Sequence, residues 1–389
     1  MQSACPIQFW EYKIWSWIRM EHSKELLKTF QSYPLELKMM KTEKRIIEVV
    51  KNYDFYVSFS GGKDSAVAVD FTAKVLSKIG ISKMYVLNIN TGLEYLSVQK
   101  FCKPFCELVS KKYGIEVILD TVYSEMTFNN VLRTYGYPII SKEVSQCIYE
   151  ARKGISNNDG TYQYRIDKLN GKHKNPDGSL SQYNCPQYKF LLDAPFRISH
   201  KCCYKVKKEP AYLYEKATGR IPIIATTTEE SRARQSAWLK HGCNAFDTDR
   251  PISAPFSFWL NQDILEYHVR EKLPMADVYG HIEVDIPGMI SGQMTLFQEE
   301  IIGNKLRTTG CPRTGCIYCL FGITQDKDRI LRLQKLEPKR ADYVLRGGEF
   351  DEEGMWIPTK EGLGYWFILD FLKENGIDIP YEDAEKYRK

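Results

Sequence analysis

The fold is decided by residues 55–65, FYVSFSGGKDS, which run directly into the apolar stretch AVAV at 66–69. Four of the first five residues are aromatic or β-branched, as in a buried strand, and the apolar spacing after the two glycines is that of a helix. A loop that joins a strand to a helix exposes the free N–H groups of the first helical turn and the positive end of the helix dipole. This stretch therefore predicts a strand, an anion-binding loop and a helix, in that order.

Strand and helix patterns continue to alternate on both sides of that loop. The strand patterns are at 84–89, 116–119 and 221–225, and the helix patterns are at about 96–113, 206–218, 229–241 and 261–272. Alternation of this kind predicts βαβ units. We therefore expect an α/β fold with a doubly wound, mostly parallel sheet.

The pattern also divides the chain. Residues 1–50 have helical spacing and are interpreted as a helical N-terminal extension. Residues 51–275 form the expected nucleotide-binding α/β domain, interrupted by a Gly-, Asn- and Asp-rich insertion at about 154–186. Residues 276–389 form a Cys-rich and helical C-terminal region.

The loop residues suit a phosphate or sulfate group. Gly61 and Gly62 allow the backbone to approach an anion without interference from a Cβ atom. Ser60 and Ser65 supply hydroxyl donors, and Lys63 supplies a compact positive charge.

The loop is not a Walker A motif, because the spacing G-x-x-x-x-G-K-[ST] is absent. Asp64 stands in the first helical turn, where it can cap the helix, and its charge argues against a generic anion trap.

The string SFSGGKDS resembles the PP-loop of the adenine-nucleotide alpha-hydrolase superfamily, and within it the chain most resembles the phosphoadenosine phosphosulfate (PAPS) reductase family. Three further stretches match that family: NTGLE at 90–94, TEESRAR at 228–234 and HKCCYKVKKEP at 200–210. The resemblance covers roughly residues 50–270 and is weaker outside them.

The resemblance implies an adenine nucleotide, either ATP or PAPS or APS, with or without Mg²⁺. It implies that Lys63 has a catalytic as well as a binding role. The implied nucleotide-binding residues are Ser58, Ser60, Gly61, Gly62, Lys63, Asp64, Ser65, Thr91, Gly92, Arg232 and Arg234. Guanidinium groups bind such oxygens in a bidentate manner. One of these arginines alone is better explained as a surface helix charge, and their place in a matched segment makes the two explanations about equal.

The 11 cysteines include an adjacent pair, Cys202-Cys203, and a later group within TGCPRTGCIYCLFG, Cys311, Cys316 and Cys319. Thiolates at such spacings bind zinc or an iron–sulfur cluster. The resemblance implies a [4Fe–4S] cluster on Cys202, Cys203, Cys316 and Cys319, with zinc or no metal as the alternatives. Cys311 is then a surplus thiol, which could replace a ligand or act as a nucleophile or sulfur carrier.

One feature of that family is missing. Its sulfate-reducing members end in a Glu-Cys-Gly-x-His-like tail that carries the nucleophile, whereas no such motif follows Cys319 and this chain ends in YEDAEKYRK. Three functions stay open: a PAPS-reductase-like redox enzyme, an ATP-consuming sulfurtransferase acting on nucleic acid, and a non-catalytic nucleotide-binding protein with structural zinc. A thiol or sulfur-donor protein is an expected partner of the first two.

Composition sets the remaining bounds. The net charge of +5 does not demand a nucleic acid, and no run of five like charges occurs. The chain lacks a run of 18 apolar residues, so no membrane association is expected. The N-terminus lacks the features of a secretion signal, and the cysteines suit reduced thiols, so we expect a cytoplasmic enzyme.

Overall fold

The computed structural model describes residues 22–158, 160–285 and 304–387. Within these ranges the chain forms two compact units. The first takes in the described parts of Met1–Leu87, Phe101–Asp120 and Gly219–Pro312, and the second those of Asn88–Lys100, Thr121–Thr218 and Arg313–Lys389.

The elements follow in chain order. The helices are α1 (Lys24–Gln31), α2 (Leu35–Asn52), α3 (Lys63–Lys78), α4 (Leu96–Tyr113), α5 (Phe128–Tyr135), α6 (Lys142–Asn157), α7 (Gln163–Leu169), α8 (Glu209–Thr218), α9 (Arg232–His241), α10 (Asn261–Arg270), α11 (Arg329–Leu336), α12 (Pro338–Leu345), α13 (Tyr365–Glu374) and α14 (Ala384–Tyr387). The strands are β1 (Phe55–Ser58), β2 (Lys83–Asn90), β3 (Glu116–Tyr123), β4 (Ile139–Ile140), β5 (Ile221–Ile223), β6 (Asn244–Ala245), β7 (Ile252–Ser253), β8 (Ile282–Val284), β9 (Leu306–Thr308), β10 (Leu320–Phe321), β11 (Glu349–Phe350) and β12 (Trp356–Ile357). Short 3₁₀ helices occur at Pro186–Asp193, Thr228–Glu230 and Asp277–Tyr279, and Tyr204–Lys208 is a π-helical turn.

The central sheet has six strands in the order β3-β2-β1-β5-β7-β6. Strand β1 is parallel to both of its neighbours, with Val57 opposite Val86 of β2 and Ile223 of β5. Strands β5 and β7 are also parallel, whereas β6 and β7 are antiparallel. The mostly parallel α/β sheet predicted from the sequence is therefore confirmed.

Helix α3 forms the centre of the core of the first unit. It is buried over nearly all of its length because the run AVAVDF places apolar side chains on every face of the helix. Val67, Ala68 and Val69 are completely buried and pack in one cluster with Val57 and Phe59 around β1. Each buried valine contributes about 1.5–3 kcal/mol, which fixes the position of the loop between β1 and α3.

The second unit contains its own short parallel sheet. Ile139 and Ile140 of β4 pair with Leu320 and Phe321 of β10. The Arg152 side chain on α6 donates hydrogen bonds to the carbonyl oxygens of residues 191, 192, 194 and 196, which fixes the 3₁₀ segment against α6. The 3₁₀ segment precedes Cys202 and β10 follows Cys319, so these contacts fix the chain on either side of the predicted metal ligands.

The structure bears on three expectations about the organisation of the chain. The helical extension is observed over residues 24–52, whereas residues 1–21 lie outside the described residues. The insertion at 154–186 is only partly a loop, because α6 continues to Asn157 and α7 occupies Gln163–Leu169 before a small turn closed by the bridge between Lys174 and Leu180. The two units also interleave in sequence, unlike the expected domains, whose boundaries stay a prediction.

Candidate nucleotide site and cysteine cluster

The loop predicted to bind the nucleotide lies at the point where the strand order of the sheet reverses. From β1 the chain proceeds to β2 and β3 on one side, and β5 and β7 lie on the other side. In open parallel sheets, ligands bind beyond the carboxyl ends of the strands at such a switch point. Ser58 is the last residue of β1, and the loop leaves the sheet directly after it.

The backbone of the loop prepares the start of α3 for an anion. Gly61 has φ of +72°, a conformation that disfavours a side chain, and Gly62 is the residue that precedes the helix. The first bond within the helix runs from the Ala66 N–H to the Gly62 carbonyl, at 2.9 Å. The N–H groups of residues 63–65 therefore have no acceptor within the helix, and a phosphate or sulfate can accept from them.

Two serine hydroxyls close the turn. The Oγ atoms of Ser60 and Ser65 lie 3.1 Å apart, and the Ser60 N–H donates to Ser65 Oγ at 3.2 Å. Ser65 Oγ in turn donates to the Gly62 carbonyl at 2.9 Å. The predicted Ser60 and Ser65 are thus brought together, and both are close to the start of the helix.

The Lys63 side chain is almost completely buried, at 4% exposure. Its Nζ donates to Asn261 Oδ1 at 2.7 Å and lies 3.1 Å from the Asp64 carboxylate. A buried ammonium requires such partners, because its desolvation is otherwise costly. Asn261 and Asp64 thus hold the Lys63 ammonium group at the loop, and Asp64 is its charged partner.

The backbone of Lys63 is held from both sides. Its N–H donates to Tyr279 Oη at 3.2 Å, and its carbonyl oxygen lies 2.9 Å from His268 Nε2. Burial lowers the pKa of His268, so the imidazole is neutral at pH 7, and the short contact assigns the N–H to Nε2. A hydroxyl oxygen of Tyr279 thus already accepts from one of the amides that an anion would use.

Helix α10 supplies both Asn261 and His268, and a buried ion pair fixes it. Asp263 Oδ2 accepts from Lys38 Nζ at 2.6 Å and from the Leu260 N–H at 2.5 Å. The Lys38 side chain is 2% exposed. The position of α10, and with it the Lys63 environment, depends on this pair.

Thr91 and Gly92 lie in the second unit, in a turn fixed by hydrogen bonds. Thr91 Oγ1 donates to Glu94 Oε1 at 2.7 Å, and the Gly92 N–H donates to Asn90 Oδ1 at 3.0 Å. Arg340 on α12 donates to the carbonyl oxygens of Gly92 and Glu94. Their predicted role in an adenosine pocket stays a prediction.

The two predicted anion-binding arginines begin α9 in the first unit. Arg232 is exposed, and the Arg234 guanidinium forms an ion pair with Glu230. Ser231 caps the helix by accepting from the Arg234 N–H. An anion at Arg234 would therefore compete with Glu230, and the clamp formed by these arginines stays a prediction.

The four predicted metal ligands share the second unit. Burial raises the pKa of the Cys202 thiol, and the thiolates of Cys203, Cys316 and Cys319 raise it further. Burial and Cys316 raise the pKa of Cys319 to about 12. A bound metal cation would favour the thiolate forms of these cysteines, so their residue type fits a thiolate-ligated metal group.

That fit does not amount to a metal site. Within residues 22–158, 160–285 and 304–387, no group of three or more His, Cys, Asp or Glu side chains converges to hold a metal ion. The iron–sulfur cluster and zinc both stay predictions.

Cys311 lies in the first unit, unlike the four other predicted cysteines. It is buried, and its N–H donates to the Val278 carbonyl at 2.8 Å. Its catalytic role stays a prediction.

The sequence did not identify the residues that surround Lys63. Asn261, His268 and Tyr279 are about 200 positions away along the chain, and only the helix start at 261 carried a local signal. Lys207 was also missed as a neighbour of the cysteines, since the Cys316 thiolate raises the pKa of its ammonium group.

The sequence similarity of this chain to known proteins is confined to a short stretch. No known family profile matches the chain. The chain is 34% identical over 87 residues to tRNA(Ile)-lysidine synthase of Persephonella marina, and 36% identical over 87 residues to an uncharacterized protein of Methanocaldococcus jannaschii. These matches cover 21% and 22% of this chain, and the chain spans only 19% of the length of each relative.

A solved structure gives a weak match over a longer stretch. Phosphoadenylyl-sulfate (PAPS) reductase from Candida auris, in a phosphate complex, aligns with a TM-score of 0.33 and 12% identity over 66% of this chain and 90% of that one. Similarity at this level carries no argument about function, so the fold rests on the strand order described above. The local sequence similarity to tRNA(Ile)-lysidine synthase supports the resemblance to the PP-loop superfamily.

No described helix is both long enough and apolar enough to cross a membrane.

Proposed function

We propose that this chain is an enzyme that binds an adenine nucleotide at the start of α3 and uses it in sulfur redox or sulfur-transfer chemistry. The observation that carries the proposal is the loop itself: it begins where the strand order reverses, and the amides of residues 63–65 and the buried Lys63 charge meet there. Oriented amides and a fixed cation stabilise the charge that develops on a leaving pyrophosphate or sulfate without reorganising during the reaction.

The ATP-consuming form is the better supported of the two candidate reactions. In it, an acceptor oxygen attacks the α-phosphorus of ATP, pyrophosphate leaves, and a sulfur nucleophile then displaces AMP from the adenylated acceptor. One observation favours this form: the local similarity to tRNA(Ile)-lysidine synthase, a relative whose name indicates a nucleic-acid acceptor. Nucleic acid is then the proposed acceptor, and a sulfur-donor protein a proposed partner.

The redox form is the second candidate, supported by the cysteine-bearing segment at 200–210. Cys202, Cys203, Cys316 and Cys319 would hold a [4Fe–4S] cluster, which would supply a redox centre able to take up and release single electrons. The chain's own contribution is to bind and orient the nucleotide through Lys63 and the loop hydroxyls.

Product analysis separates the two forms. Pyrophosphate released from ATP only in the presence of single-stranded RNA or DNA supports sulfur transfer, whereas thiol-dependent release of sulfite from PAPS supports the redox form. A chain that binds ATP but yields neither product would be a nucleotide-binding protein without this chemistry. Lys63→Ala should abolish whichever product is formed, and a variant of full activity would refute the proposed site.

A further inference from the structure

Positive charge is concentrated in one part of the second unit. Residues 142–208, called here the basic segment, contain 13 Lys and Arg but only 6 Asp and Glu, a net charge of +7. The whole chain carries +5, so the remainder is slightly acidic. The small net charge of the chain therefore conceals a strongly basic region.

Some of these cations are neutralised inside the unit. Arg165 and Lys168 both bind Glu143, and Arg165 also binds Glu150 at 2.6 Å. Arg152 donates to backbone carbonyl oxygens of the 3₁₀ segment. These contacts also use up the two acidic side chains of α6.

Other lysines of the segment point into solvent. Five of them are exposed and have no carboxylate within ion-pair distance among the described residues: Lys142, Lys153, Lys172, Lys174 and Lys189. Exposed ammonium groups without carboxylate partners repel one another where they lie close together, and an anionic surface would relieve that repulsion. A polyanion can neutralise several of them together.

Tyrosine rings lie among these lysines. Tyr164 and Tyr183 are 43% and 48% exposed, which is high for such large side chains. The Arg165 guanidinium carbon lies 4.7 Å from the centre of the Tyr164 ring, and Lys168 Nζ lies 5.4 Å from that of Tyr183. The carboxylates of α6 hold both cations in place. Each ring therefore has a fixed positive charge on one side.

Further contacts join the rings into one face. The Tyr164 hydroxyl donates to Glu150 at 3.1 Å, and its ring lies 6.4 Å from that of His173, which stands between Lys172 and Lys174. On α6, Lys153 Nζ lies 4.6 Å from the Tyr149 ring. Tyr149 in turn contacts the ring of His200, two residues before Cys202. The face thus runs from the turn after α7 along α6 toward the cysteine-bearing segment.

We propose that this face, formed by Tyr149, Tyr164, Tyr183, Lys153, Lys172 and Lys174, binds single-stranded nucleic acid. The inference rests on the proposed function in its sulfur-transfer form and names the surface that would hold the acceptor. Lysine side chains bind the phosphates, and every base has a flat face that stacks on an exposed ring regardless of sequence. Single strands fit better than duplexes, because only unpaired bases can stack on the exposed rings of Tyr164 and Tyr183.

The test is fluorescence anisotropy with labelled 12-nucleotide RNA and DNA single strands and with a duplex, on the full chain without ATP. Tyr164→Ala combined with Tyr183→Ala should weaken single-strand binding about tenfold or more, while the corresponding Phe variants should bind like the parent. Lys172→Glu combined with Lys174→Glu should weaken binding. It should also make the slope of log K against log salt concentration shallower by about 0.7 for each phosphate contact that is lost.

Matched controls separate this inference from the proposed function. Lys44→Glu combined with Lys51→Glu makes the same charge change on exposed lysines of α2 and should leave binding intact. Lys63→Ala should keep strand binding, and the tyrosine variants should keep ATP binding. Absence of single-strand binding at low salt, equal loss in the α2 control, or binding only of an acidic peptide would overturn the inference while leaving the nucleotide site standing.

Discussion

At the residue scale, the proposed nucleotide site depends most on Lys63, a lysine that is 4% exposed and bound to Asn261 and Asp64. A charge-assisted hydrogen bond to a phosphate contributes about 1.5–3 kcal/mol. Lys63→Ala should therefore weaken ATP binding by about 10- to 100-fold, as measured by calorimetry on a variant whose thermal unfolding shows that it is folded.

Lys74 provides the matched control on the same helix. It forms an ion pair with Glu271 at 2.7 Å, and its side chain is 40% exposed. Such pairs contribute little, so Lys74→Ala should bind ATP like the parent chain. Equal losses of ATP affinity in Lys63→Ala and Lys74→Ala would mean that removing any lysine from α3 weakens binding and that the loop has no special role.

His268 gives the loop a pH dependence. Burial lowers its pKa below the ordinary value of 6.5, so the unfolded chain binds more protons than the folded chain at mildly acidic pH. The stabilisation is complete above the unfolded pKa and is lost as the pH falls toward the folded pKa. His268→Gln keeps a donor for the Lys63 carbonyl and should flatten the decrease in unfolding free energy between about pH 6.5 and 5. Urea unfolding at a series of pH values measures this dependence. A variant whose free energy of unfolding falls as steeply with pH as that of the parent chain would contradict the lowered pKa of His268.

At the element scale, the structure explains how a helix distant in sequence completes the loop. Strand β1, the loop and α3 could be predicted because they are adjacent and their apolar patterns are strong, and the helix expected at about 96–113 coincides with α4. Asn261, His268 and Tyr279 could not be assigned, because their approach to Lys63 depends on the packing of distant elements. The insertion was also only partly predicted, since its Gly, Asn and Asp content concealed the short helix α7.

The Lys38–Asp263 pair tests the role of α10. Removing one member of a buried ion pair costs about 3–5 kcal/mol. Asp263→Ala should lower the free energy of unfolding by that amount and weaken ATP binding, because Asn261 and His268 lose their support. The exposed pair between Glu36 of α2 and Arg270 of α10 is the control. Glu36→Ala should have little effect on the free energy of unfolding measured in urea. If the two variants are equally stable, the pair does not hold α10.

At the scale of the whole molecule, the chain divides its predicted functional groups between two units. The loop, the two arginines and Cys311 belong to the first, whereas Thr91, Gly92, the four other cysteines and the basic segment belong to the second. Sequence motifs identified most of these groups, but the division itself could not be predicted because both units are assembled from separated segments of the chain.

The predicted cluster is tested by analysis of the intact chain purified without oxygen. About four irons and four sulfides per chain are expected, and Cys203→Ser should lose them. Cys102→Ser is the control, because Cys102 is a buried core residue of the first unit. Stoichiometric zinc in place of iron would contradict the cluster, and retention of all iron in the Cys203 variant would contradict the ligand set.

The most direct test of the nucleotide site is a crystal structure of this chain soaked with a non-hydrolysable ATP analogue. The phosphates should lie against the N–H groups of residues 63–65, with the Lys63 ammonium and the hydroxyls of Ser60 and Ser65 within hydrogen-bonding distance. A nucleotide bound elsewhere, with the first turn of α3 still occupied by Tyr279 alone, would contradict the account.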